Sequence, residues 1–410
     1  MLMLPLRQPW YDEGMTHKTN EAVRSAVGMS ADNRALLLIG ESTNNADMYH
    51  AIGFLFGDPV IYLRAGDQET LVCSGFEVEE ARRHSRISDV RSYFDPALGY
   101  QRARAESLPH HLAMAEVARQ LLETAGARVV TVPDTFPLST ADYLRARGIE
   151  VICDPEVKAR ERLVKREDEI AAIEITQRAT EKAMRRAIDL IAGSEVRAGF
   201  LFHDGRPLTA EDLQLAIDHV FLEERCVAEG TITACGTDAA SPHNRGAGHL
   251  RAGAPIVLDI FPRHKDNRYF ADMTRTVSKG DPGPEIRAMF DATLHVQEAV
   301  LAVIADGISG TEVYETACRV YEEAGYPTSL RNGSIPPTGF IHGLGHGVGL
   351  EIHEAPRMSS HGDTLHEGQI VTVEPGLYDP EIGGVRIEDL VAVTAHSCRN
   401  LTHFEKVLVV

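Results

Sequence analysis

The sequence predicts two domains, an α/β domain followed by a larger α+β domain, and three observations lead there. At 410 residues the chain exceeds what one hydrophobic core usually serves. Its first part alternates short apolar runs of strand length with helical stretches, the pattern of an α/β unit. A charge-rich stretch over 154–169 (Lys158, Arg160, Glu161, Arg162, Lys165, Arg166, Glu167, Asp168, Glu169) then connects that part to a second one with long helices and acid-bearing strands. The expected domains are residues 1–160 and 161–410.

Within the first domain, Leu36–Ile39 and Pro59–Arg64 read as strands, and a turn at Ala65–Asp67 leads into Glu69–Cys73 as a hairpin. Leu108–Ala125 has helical periodicity and meets Gly126 as a C-cap. Val129–Val132 and Ile149–Cys153 are further strands, with Ala141–Arg147 helical between them. His110 and His111 fall at the start of a helix and read as solvated surface. Past the connection, Ala172, Ile175, Ala179, Ala183, Ala187 and Leu190 form one stripe of a long helix that Gly193 ends. Ala210–Glu224, Pro284–Ala305 and Thr311–Ala324 are the other helices. The strands are Gly230–Cys235, Pro255–Phe261, Ala271–Val277, Gln369–Glu374, Val385–Val393 and Lys406–Val410.

Composition narrows the function. A hydrophobic share of 43% with 25% charged residues is that of a soluble globular protein, and a net charge of -19 argues against nucleic acid or an anionic membrane as partner. The opening Met-Leu-Met-Leu-Pro-Leu is too short for a signal-peptide core and is followed by Asp12 and Glu13. No apolar run approaches the ~20 residues a membrane span needs. The six cysteines form no CxxC pair, which reads as reduced thiols in a cytoplasmic protein.

The chemistry lies in the second domain. Asp259 ends the apolar run Ile-Val-Leu-Asp, and Asp272 follows 13 positions later in Phe-Ala-Asp-Met-Thr-Arg-Thr-Val. Glu374 sits in Ile-Val-Thr-Val-Glu-Pro-Gly and Glu388 in Gly-Gly-Val-Arg-Ile-Glu-Asp-Leu. One such acid is as well explained by an exposed edge strand, but four in apolar strands are hard to satisfy by solvent alone. Two divalent cations match four carboxylates in charge, and oxygen ligands suit hard or borderline ions such as Mn²⁺. The glycine-dense stretch 341–350 supplies an imidazole from His346, and its glycines let backbone crowd a site. That stretch matches neither GxGxxG nor GxxxxGK[ST], and His353-Glu354 is no zincin helix because position 357 is Arg.

These segments resemble the pita-bread-fold metallopeptidases, the family of aminopeptidase P, prolidase and methionine aminopeptidase. The likeness spans about 166–410, with Asp259, Asp272, His346, Glu374 and Glu388 in family order. Ser-Pro-His at 241–243, His342, His353-Glu354 and Gly-Gly-Val-Arg-Ile-Glu at 383–388 resemble the Xaa-Pro-cleaving branch. The first domain resembles that branch's creatinase-like domain by position and αβ character. The implied fold is thus a creatinase-like α/β domain and an α+β pita-bread catalytic domain. One departure is the Asp259–Asp272 spacing, two residues longer than is usual in the family. A longer hairpin through Arg263–Asn267 would absorb it, and Asp266 is a weaker ligand choice because Asp-Met-Thr-Arg-Thr fits the family pattern at Asp272.

The resemblance implies a dinuclear peptidase that hydrolyses Xaa-Pro bonds of peptides or dipeptides by attack of a metal-bridging hydroxide. Asp259 is expected on one ion, His346 and Glu374 on the other, with Asp272 and Glu388 bridging. Glu374 also takes a proton, and His243 and His353 stabilise the oxyanion. His342 and Arg386 shape the substrate pocket or orient ligands. Mn²⁺ is the expected ion, with Co²⁺ or Zn²⁺ as substitutes, and the assembly a cytoplasmic homodimer. Two alternatives remain: a creatinase-type amidinohydrolase or lyase of the same superfamily, and a non-catalytic binding protein on this fold. The five intact ligand positions weigh against both.

Overall fold

A computed structural model describes residues 34–228, 230–328 and 338–410, so the reading of the opening hexapeptide lies outside the described residues. The chain divides after Pro155 into two units.

The first unit is built on a six-stranded mixed sheet. Its strands are β1 (Arg34–Gly40), β2 (Val60–Ala65), β3 (Gln68–Cys73), β4 (Asp89–Ser92), β5 (Val129–Val132) and β6 (Glu150–Cys153), in the order β4-β3-β2-β1-β5-β6. Ala65 pairs with Gln68, leaving Gly66-Asp67 as the two-residue turn, with Gly66 at φ +59° as such hairpins require. The other neighbours β3–β4, β1–β5 and β5–β6 run parallel. The helices are α1 (Ala46–Ile52), α2 (Val78–His84), α3 (Tyr100–Ala105), α4 (His110–Thr124) and α5 (Leu138–Arg145). Met114, Val117, Leu121 and Leu122 of α4 pack against Leu37, Ile61 and Val130 of the sheet, and this is the unit's core. The sequence pattern missed α1, α2, α3 and β4, all of seven residues or fewer, because so short a run carries little periodicity. Helix α5 also starts earlier than the expected Ala141, its first turn following Pro137.

The second unit opens with the short helix α6 (Ala159–Arg162) and the long α7 (Glu167–Ala192), and continues with α8 (Ala210–Glu223), α9 (Pro284–Leu301) and α10 (Gly310–Glu323). Its strands begin with the small meander β7 (Glu195–Arg197), β8 (Phe200–His203), β9 (Arg206–Pro207) and the short β10 (Cys226–Val227). Strands β11 (Ile232–Cys235), β12 (Ile256–Ile260) and β14 (Met273–Val277) form one antiparallel sheet, while β13 (Arg263–His264) pairs with β10. A five-stranded sheet follows in the order β16-β15-β17-β20-β21, from β15 (Gly345–Gly347), β16 (Glu354–Met358), β17 (Ile370–Val373), β20 (Asp389–Val393) and β21 (Cys398–Asn400). The ribbon β18 (Gly376–Asp379) and β19 (Gly383–Arg386) completes the set. Helices α7 and α8 bury Ala183, Ala187, Leu213 and Ile217 against Leu258, Ile260 and Met273. Helices α9 and α10 bury Val296, Val300, Tyr314 and Tyr321 against Val371, Val373, Val385 and Val391. Each sheet is thus braced by its own helix pair.

Three sequence expectations are corrected here. Ile175, assigned to the buried stripe of α7, is 57% exposed. Thr176, Gln177 and Thr180 are buried instead, because their side chains find partners: Thr176 and Thr180 bond back to the helix carbonyls of Ala172 and Thr176, and Gln177 donates to Thr402. The single strand expected over Val385–Val393 is two, since the chain leaves the ladder at Ile387-Glu388 and Glu388 N–H donates to the Thr274 carbonyl at 3.0 Å. Lys406–Val410 is not a strand. Lys406 turns to the buried Asp389 carboxylate at 2.7 Å, and only Val409 bridges to Ser278. No helix among the described residues is long and apolar enough to cross a membrane.

Candidate metal centre

Antiparallel pairing of β12 and β14 sets Asp259 opposite Thr274, so Asp272, two residues before Thr274, falls on the same face at the strand's entrance. Glu374 follows directly on β17, Glu388 directly precedes β20, and β17 and β20 are paired neighbours. His346 is the centre of β15, alongside β17. The structure brings Asp272, His346 and Glu388 together, with one donor atom of each within 4.8 Å of the others. Glu374 joins them, its Oε1 lying 3.5 Å from His346 Nε2, and Asp272 Oδ2 lies 3.8 Å from the same nitrogen. Asp259 is buried nearby with Oδ2 held by Arg386 at 2.5 Å. Asp266 is elsewhere: the extra residues form the exposed tip of the β13 hairpin, where Asp266 pairs with Arg225 at 2.5 Å.

The donor set fits cations on three grounds. The His346 Nδ1–H donates to the Gly347 carbonyl at 3.1 Å, which leaves the Nε2 lone pair facing the carboxylates. Asp272 Oδ1 is buried and accepts no hydrogen bond from the described residues. The carboxyl groups also lift one another's pKa. Asp272 and Glu388, 4% and 2% exposed, are held well above the usual carboxylate range, first by burial and then by the charges of their acidic neighbours. Burial pushes Glu374 up to about 7, against the pull of Arg386. Lone pairs crowded on one buried point repel unless a positive ion sits among them.

Hydroxyls aim the carboxylates. Thr274 donates to Glu388 at 2.8 Å, and Thr372 accepts from the His346 N–H while lying 3.4 Å from Glu374 Oε1. Arg386, buried, also donates to the Tyr378 hydroxyl at 2.8 Å, and Tyr378 donates to His342 Nε2 at 2.9 Å. His342 Nδ1–H is committed to the Gly343 carbonyl, and burial with Arg386 nearby lowers this imidazole to about 4, so it stays neutral. His353 is exposed, and its ring packs edge-on against His346 with centroids 4.4 Å apart. His243 is exposed. Sequence reasoning missed Thr274, Thr372 and Tyr378. The first two share their strand faces with Asp272 and Glu374 at a spacing of two, a signal available in the sequence. Nothing in Gly-Leu-Tyr-Asp marks Tyr378.

Residues 171–395 match metallopeptidase family M24. The chain belongs to this family. This M24 chain is 33% identical over 253 residues to a Xaa-Pro dipeptidase of Pyrococcus furiosus, a stretch that covers 60% of the chain and 65% of the relative's length. Among solved structures, the Xaa-Pro dipeptidase from Bacillus anthracis superposes with a TM-score of 0.75 at 25% identity, covering 96% of this M24 chain and 99% of that one. An X-Pro aminopeptidase from Thermotoga maritima shares the fold, with a TM-score of 0.75 at 24% identity over 92% of this chain and 97% of its own. The larger unit has the pita-bread fold, preceded by a mixed α/β unit.

Proposed function

We propose that this protein is a dinuclear metal-dependent peptidase that hydrolyses Xaa-Pro bonds, in dipeptides or at the N-terminus of longer peptides. The observation that carries this reading is the convergence of Asp272, His346 and Glu388, with Glu374 beside them, on one buried space where Asp272 Oδ1 has no donor among the described residues. Asp272 and Glu388 would be shared by the two ions, Asp259 would hold one of them, and His346 with Glu374 would hold the other. The oxygen-rich set with one imidazole favours Mn²⁺, with Co²⁺ or Zn²⁺ as substitutes. Bound there, the ions lower the pKa of a water and polarise a carbonyl, the chemistry an amide hydrolase needs.

The protein's own residues do the rest. Glu374 accepts the proton of the attacking water. His353 and His243 donate to the substrate carbonyl oxygen as it gains charge. Arg386 holds the Asp259 carboxylate in place and is itself fixed by Tyr378 and His342. A prolyl amide has no N–H and a fixed ring, so recognition falls to the carbonyl and to the free amine of the preceding residue. The Pyrococcus relative's name supports this substrate class. Residues 1–160 are taken as the creatinase-like domain and 161–410 as the catalytic one, in a homodimer. All six cysteines are free, which suits a cytoplasmic, reducing environment.

Asp272→Asn and Glu388→Gln test the reading together. Each removes a carboxylate shared by both ions, so activity is abolished and elemental analysis finds at least one metal lost. Either variant with full activity and two metals overturns the assignment.

A further inference from the structure

The charge-rich connection over 154–169 has no role in the reaction so far, yet part of it is buried. Lys165 and Glu354 face each other at 2.9 Å with side chains only 2% and 5% exposed. Arg162, also buried, lies 3.5 Å from the same carboxylate and 2.5 Å from Glu351. The segment is seated by Lys165 N–H donating to the Gly368 carbonyl, two residues before β17. On the other side, Glu354 closes the turn between β15 and β16. Its Oε1 accepts the Glu351 N–H at 3.1 Å, and it lies so close beneath Gly349 that a Cβ there would come within 2.6 Å of Oε2. His353 is the next residue back along the chain. Among the described residues no hydrogen bond holds the His353 ring, so its position rests on this turn and on its contact with His346.

We infer that Lys165 and Arg162 are positioning residues, which act through Glu354 to fix the turn that presents His353. The inference rests on the reading of His353 as the donor to the substrate carbonyl. A buried ion pair adds little to stability over an apolar pair of the same shape, but it demands one geometry, and that is what a donor aimed at a developing charge requires. With Lys165 replaced by an uncharged residue of similar length, Glu354 keeps Arg162 and the Glu351 N–H at Oε1 but loses the ammonium 2.9 Å from Oε2. The turn relaxes, and His353 swings relative to the substrate.

The test is a double-mutant cycle on the metal-loaded, full-length protein with an Xaa-Pro substrate. Lys165→Met should lower kcat roughly 10- to 100-fold, the cost of a donor misplaced by about an ångström, with KM changed far less and metal content intact. In a His353→Ala background the same substitution should change kcat less than about twofold, because the residue it positions is already gone. Glu354→Gln, which keeps the side-chain shape, runs the same cycle should Lys165→Met fail to fold. Equal losses in both backgrounds, or an unchanged kcat in the wild-type background, overturn the positioning role and leave the reading of His353 standing. A wild-type rate in His353→Ala alone overturns that reading, and the inference with it.

Discussion

A carboxyl group buried among others must hold a proton or be offered a cation, and Asp272 faces that choice most sharply, with one oxygen unbonded and the charges of Glu388, Asp259 and Glu374 around it. Thr274 and Thr372 neutralise none of this charge, and Arg386 is committed to Asp259 and Tyr378. His353 stands apart from that set, as an imidazole that packs against the edge of His346. His353→Ala should therefore lower kcat by roughly 10²–10³, the scale of one lost oxyanion donor. Metal stoichiometry should not change. Loss of an ion in that variant would make His353 a ligand.

At the scale of elements, three of the four acids sit where a strand begins, ends or breaks, while Asp259 lies inside β12. Asp272 precedes β14, Glu374 follows β17, and Glu388 fills the gap between β19 and β20. The apolar runs made the strands legible in the sequence, and their acids stood out against them. The break at Glu388 was not legible, since Val-Arg-Ile-Glu-Asp-Leu-Val-Ala-Val continues the apolar pattern while the hydrogen bond to the Thr274 carbonyl is made by a distant strand. The partnership of Arg386 with Asp259, Tyr378 and Pro242 was hidden for the same reason, as it joins residues 127, 8 and 144 positions apart. The glycine stretch was legible as a close approach of backbone, and the structure gives the reason at Gly345, where a Cβ would collide with the Thr372 carbonyl of β17. Both strands position groups of the proposed centre, His346 on β15 and Glu374 just after β17. Gly345→Ala should displace His346 and weaken metal retention at least tenfold in a competition with a chelator, while the circular dichroism spectrum stays native. Wild-type metal affinity in this variant would show that β15 has slack.

At the scale of the whole molecule, the two units have separate cores, and the acid sensitivity of the first has a defined source. Glu116 on α4 is partly desolvated, which alone would raise its pKa, but hydrogen bonds from Arg119, Gln120 and Tyr143 with the Arg119 charge outweigh burial and bring it down to about 2 from 4.5. A group depressed on folding stabilises fully above its unfolded value and loses that contribution as pH falls through the folded one. Denaturation of Glu116→Gln against wild type should thus show a deficit on the order of 1 kcal/mol, after solvent screening, that is constant above about pH 4.5 and shrinks toward pH 2. A deficit that persists unchanged at pH 2 would assign it to packing. The proposed activity is assigned to the second unit, and one measurement tests it most directly: chelated protein reloaded with Mn²⁺ or Co²⁺ and given Ala-Pro, Ala-Pro-Ala and their N-acetylated forms. Metal should restore hydrolysis of a free-amine substrate, and the acetylated forms, uncharged where an ammonium group should sit, should be poor substrates. Cleavage of the dipeptide alone marks a prolidase, and cleavage of the longer peptide marks an aminopeptidase P. No hydrolysis of any of the four by metal-loaded protein would rule out an Xaa-Pro peptidase.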